Sequence, residues 1–151
     1  MTVTETGGGN AARKAPVHFW IVAVLALLWN AFGAFDYLAT QLELDFYMGA
    51  FTEEQLAYFY GFPAWSVAAW AFGVWGAVAG SVGLLLRKKW AVWAFAVSIA
   101  GMIVNGIYTF FLTNGLEIMG EGAPILTAVI WAVAIFLLLY AVAMKKRGIL
   151  N

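Results

Sequence analysis

Apolar residues in this chain fall into long unbroken blocks and do not alternate with polar ones. Four blocks, over residues 17–38, 63–86, 90–112 and 125–144, reach the length needed to cross a membrane. A helix needs about 20 apolar residues to span a hydrocarbon core of about 30 Å. Each block predicts a helix, because in lipid every backbone polar group must be satisfied within the segment, and a barrel strand would alternate in polarity. The expected fold is all-α: a bundle of four transmembrane helices over residues 17–147. Residues 1–16 read as a disordered cytoplasmic tail and residues 148–151 as the end of a second one. The first block is read as a retained anchor, since it is too long for a signal peptide.

Between the first two blocks lies a long, strongly aromatic loop. Within it TEEQLAYFYG predicts a short helix, with Thr52 as N-cap and Gln55 closing a capping box. Gly61 and Pro63 supply the stop. With Leu56, Phe59 and Tyr60 on one face, the expectation is an interfacial helix on the outer leaflet in preference to a lid over the bundle.

Small residues set the expected packing. Ser66, Ala69, Gly73, Gly76, Gly80 and Gly83 form one stripe on the second span, and Ala91, Ala94, Ser98, Gly101 and Asn105 form a second stripe on the third. Lipid gives no hydrophobic drive for helix association, so close approach of such faces supplies the contact. Gly33 joins Ala23, Ala26 and Asn30 in a stripe on the first span. The sequences PAWSVAAWA and PILTAVIWA, at the starts of spans two and four, are weakly alike.

Composition agrees with this reading: 64% of the residues are hydrophobic and 11% charged, against about a quarter charged in soluble domains. The net charge of zero conceals segregation. Arg13, Lys14, Arg87, Lys88, Lys89, Lys145, Lys146 and Arg147 lie in the tails and the loop between spans two and three. Glu43, Asp45, Glu53, Glu54, Glu117 and Glu121 lie in the opposite loops. The positive-inside rule places both termini in the cytoplasm. The chain has no cysteine and one histidine, His18. That excludes disulfides, thiolate metal sites and cysteine nucleophiles. No cofactor, metal, nucleic-acid partner or enzymatic activity is expected.

Two polar residues stand out in LLWNAFGAFDYLAT. Counted along the helix, Asn30 lies about 18 Å above His18 and Asp36 about 27 Å, close to the outer interface. Asn105 lies about 21 Å above Ala91, which predicts an Asn30–Asn105 hydrogen bond across spans one and three. The functional alternative is an outer polar layer that binds a solute. It would combine Asn30, Asp36, Tyr37 and Thr40 with Ser66, Asn105, Tyr108, Thr109 and Thr127. Intramembrane ionisable groups are functional candidates by default. Amides and hydroxyls suit a polyhydroxylated solute, and a carboxylate suits a proton or cation.

The stretches LLWNAFGAFDYLAT and YGFPAWSVAAWAFGVWGAVAGSVGLLLR resemble a family of small four-span proteobacterial membrane proteins. Its members are often labelled sugar transporters. The resemblance rests chiefly on Trp29-Asn30-Ala31-Phe32-Gly33-Ala34-Phe35-Asp36-Tyr37. It implies a bacterial inner membrane and sugar transport, either by this chain as an oligomer or as a permease subunit. A structural or assembly role in a larger membrane complex, with the glycine stripe as partner surface, is the other expectation.

Overall fold

A computed structural model describes residues 14–151; Arg13 and most of the expected N-terminal tail lie outside the described residues. Every regular element among them is helical. The order is α1 (Val17–Gln41), α2 (Asp45–Met48), α3 (Glu53–Tyr60), α4 (Ala64–Leu85), α5 (Trp90–Gly106), α6 (Gly115–Met119) and α7 (Ala123–Lys146). A π-helical segment, Ile107–Leu112, continues α5. Helices α1, α4, α5 with its extension, and α7 are the four apolar helices long enough to cross a membrane.

The bundle is inverted relative to a soluble one. Leu28, Phe72, Phe111 and Leu139 are exposed, whereas Ala23, Ala69, Ala91, Ser66 and Ser98 are buried. Large apolar side chains on the outside and small ones on the inside are what lipid selects. The chain is therefore a multi-pass membrane protein built as an all-α four-helix bundle.

Helix α1 packs on α4, α4 on α5, and α5 on α7, with the α4–α5 interface the most extensive. The two small-residue stripes meet there. A Cβ on Gly76 would lie 2.9 Å from Ser98 N, and one on Gly101 would lie 2.5 Å from Ala69 O and 2.7 Å from Gly73 N. Gly80 accommodates the Phe95 ring, and Gly83 faces Ala91. Ser98 Oγ donates to Gly73 O at 2.6 Å, a bond that only such close backbones permit. Gly33 behaves differently: a Cβ there would meet nothing within 4 Å, so it is not a packing glycine.

At the basic end all four long helices meet in one cluster that includes Phe19, Leu84, Phe95, Leu137 and Met144. Ile149 and Leu150 belong to it, so residues 148–151 do not trail off as a tail. Gly148, at φ 79°, turns the chain back, and Ile149 and Leu150 are buried. Arg87 Nε donates to Ile149 O at 3.1 Å, and Asn151 N donates to Arg87 O at 2.7 Å. The packed domain thus extends past Arg147.

The loops at the acidic end are ordered. Helix α1 ends at Gln41, and Glu43, two residues on, has φ 53°. Leu44 N donates to Ala39 O and Glu43 N to Thr40 O, the bond pattern of a left-handed helix stop. This reversal sends α2 back toward α1. The capping box of α3 forms as expected, with Thr52 and Gln55 exchanging 3.1 Å bonds. Helix α3 is also held by the protein. Gln55 Nε2 donates to Ile118 O at 3.1 Å, tying α3 to α6 in the other acidic-end loop.

Candidate functional site

Helices α1 and α7 touch near the basic end, where His18 Nδ1 and Tyr140 Oη lie 2.7 Å apart. Elsewhere they are held apart by a cavity of about 450 Å³, floored by α4 and α5. His18 thus has a protein partner. Among the residues expected in the polar layer, Asn30, Asp36, Asn105, Thr109 and Thr127 line the cavity, and so does Gly33.

The others stand elsewhere. Tyr37 packs edge-on against Trp70 at 4.9 Å. Ser66 is fully buried between α4 and α5. Thr40 is buried and donates to the backbone oxygen of Asp36 at 2.8 Å. Tyr108 joins a ring cluster with Tyr58, Phe62 and Trp65. The walls are instead completed by Trp29, Trp70 and Trp131, which the sequence suggests only as bulky packing residues.

The expected Asn30–Asn105 bond does not form. Asn30 Nδ2 donates to Ser81 Oγ at 2.9 Å, and Asn105 Nδ2 donates to Ser66 Oγ at 3.0 Å. Both amides therefore turn to α4. Ser66 and Ser81 lie about 22 Å apart along that helix, so the two asparagines stand at different depths. His18 and Ala91 are not level. Asn30 stands well into α1, which starts at Val17, yet it meets Ser81 in the last turns of α4, which ends at Leu85, so α1 begins lower than α4 ends.

Neighbouring groups fix both amide orientations. Ser81 Oγ donates its proton to Ala77 O at 2.9 Å, so it can only accept from Asn30. Asn105 also meets Ser66 O, a carbonyl, at 3.3 Å. In each case the NH₂ must face α4. The two amide oxygens, on residues that line the cavity, have no protein partner among the described residues.

Two loop tyrosines hold the acidic end of this site. Tyr47 of α2 donates to Asp36 Oδ1 at 2.5 Å. Burial first, then the hydrogen bond and charge of Asp36, push the Tyr47 phenol well above its ordinary value. Tyr58 of α3 bonds Thr113 Oγ1 at 2.8 Å. Thr113 Oγ1 in turn donates to Tyr108 O, five residues back, at 2.9 Å. That bond takes up a carbonyl of the π-helical segment. Such widened turns are frequent at functional sites, and this one carries Thr109 and Phe110 to the cavity wall. The α2–α3 loop thus grips α1, the end of α5 and α6, and covers the acidic end of the bundle. The sequence hints at this only through an unusual density of loop tyrosines.

No protein-family model, curated protein or solved structure matches the chain.

Proposed function

We propose that this chain is a small transporter or permease subunit that binds a polar solute in the cavity between α1 and α7. One observation carries this reading. The cavity, at the level of the spans, presents a carboxylate and two amide oxygens that the bundle leaves partly or wholly unused. Polar groups placed in a membrane at a cost, and not consumed by packing, are the usual mark of a solute path. Such oxygens want a ligand that donates hydrogen bonds. A sugar, which the family resemblance implies, meets that demand, and tryptophan faces suit its C–H surface.

The segregated charges support an orientation with Arg87, Lys88, Lys89, Lys145, Lys146 and Arg147 in the cytoplasm and the α2–α3 loop outside. A bacterial inner membrane follows from the resemblance. The cavity is walled within one chain, and a homo-oligomer would supply the helices that alternating access requires. The assembly role has less support, because the glycine stripe that would serve as partner surface is occupied by α5.

The test is uptake into proteoliposomes containing the purified chain, with a panel of labelled sugars and amines. Saturable uptake of any of them, reduced by Asn105→Leu, supports the reading. Uptake equal to that of empty vesicles for the whole panel overturns it.

A further inference from the structure

We infer that the solute is an organic cation with an apolar body, its charge held by Asp36; this rests on the proposed solute-binding role of the cavity. The first ground is charge. Among the described residues that line the cavity, Asp36 is the sole acidic or basic one. The described basic residues lie at the tails and the α4–α5 turn, at the opposite end of the bundle. A cation entering the cavity therefore meets no competing positive group.

The second ground is the set of free acceptors. The amide protons of Asn30 and Asn105 are committed to α4, which leaves acceptor oxygens on the cavity residues. Asp36 uses one oxygen for Tyr47, and the other has no second partner among the described residues. The hydroxyls of Thr109 and Thr127 and the indole N–H groups of Trp29, Trp70 and Trp131 are the side-chain donors on the wall. A carboxylate oxygen and two amide oxygens thus remain for the N–H groups of an ammonium head.

The third ground is the wall itself. Trp29, Trp70 and Trp131 bring three indole rings to one cavity. Indole faces attract cations within about 6 Å of the ring centre, most strongly where water is excluded. Aromatic and aliphatic walls also desolvate an apolar body at no polar cost. A carboxylate among indoles is thus matched to a charged head on an apolar frame.

The test is equilibrium dialysis of the detergent-solubilised full chain, with empty micelles as blank. The probes are 2-phenylethylammonium, its uncharged carbon isostere propylbenzene, and glucose. The cation is expected to bind about tenfold or more tighter than the isostere, and Asp36→Asn to bind the two alike. Equal binding of cation and isostere by the natural chain overturns the inference, as does a preference that survives Asp36→Asn. Should that variant not purify folded, the comparison in the natural chain decides alone. If glucose binds and the cation does not, the inference falls while the cavity remains a solute site. If no probe binds above the micelle blank, both fall.

Discussion

Tyr47 of α2 donates its phenolic hydrogen to Asp36 of α1, eleven residues earlier in the chain. This bond ties a short loop helix to the one carboxylate of the cavity wall. It exists because the left-handed residue Glu43 turns the chain back on α1 directly after the helix ends. Tyr47→Phe keeps the ring contact with Phe35, 5.3 Å away and edge-on, and removes only the hydroxyl. The expected loss is about 1 kcal/mol, the usual net worth of a protein hydrogen bond. Denaturant-induced unfolding in mild detergent measures it.

The same bond predicts a pH dependence. The Tyr47 phenol is raised in the folded chain by burial and then by Asp36. A group whose folded pKa lies above its unfolded one stabilises fully below the unfolded value. That contribution is lost as pH rises past the ordinary tyrosine value of about 10. The natural chain should therefore lose more stability than Tyr47→Phe between pH 9 and 11, both roughly bracketing that value. Parallel curves for the two proteins would remove Tyr47 as the cause.

Asn30 and Asn105 each pair with a serine of α4 and not with one another. A double-mutant cycle on Asn30→Ala and Asn105→Ala should show additivity within about 0.5 kcal/mol, as for distant sites. The Asn30→Ala and Ser81→Ala cycle should instead show a coupling near 0.6 kcal/mol, the average for interhelical bonds in membranes.

Gly101 and Gly33 should respond in opposite directions to alanine. A methyl at Gly101 meets backbone atoms of Ala69 and Gly73 that cannot swing aside. Forcing α4 and α5 apart there is expected to cost about 1–3 kcal/mol. It should also lengthen the Ser98–Gly73 bond. A methyl at Gly33 meets open space, so the gain in helix propensity should leave Gly33→Ala neutral or up to about 1 kcal/mol more stable. Thermal unfolding of the two variants side by side checks both.

Thr113→Val keeps the shape of the residue and removes the hydroxyl that links Tyr58 to the carbonyl of Tyr108. Amide hydrogen exchange over Ile107–Leu112 should speed up while that of α4 is unchanged. Equal protection in the variant would mean that the π-helical segment holds without this cap.

The four spans, the small-residue seam and the α3 capping box were legible because each rests on local rules: length, spacing and one residue pair. Asp36, Asn30, Asn105 and Thr127 were also legible as cavity residues, since polar atoms stand out in an apolar helix. Their partners were not. The Asn30–Ser81 pairing depends on how far α1 slides along α4, which long-range packing such as the cluster that holds Phe19 and Leu84 sets. No local pattern announces that long-range contact. Gly33 looked like its neighbours in the stripe, yet it faces the cavity, because α7 stands off from α1 at that level. The π-helical segment was hidden for the same reason: Thr113, which caps it, is bonded by Tyr58 of the distant α3.

The most direct test of the central claim, that a solute-accessible cavity lies between α1 and α7, uses the absence of cysteine from the chain. Thr127→Cys places a thiol on the cavity wall, and Leu139→Cys places one on the exposed apolar face of the same helix. In proteoliposomes, a charged, membrane-impermeant thiol reagent should label Thr127→Cys and leave Leu139→Cys, which faces lipid, unlabelled. Thr127→Cys as unreactive as Leu139→Cys would contradict the account and leave a closed bundle in place of a binding site.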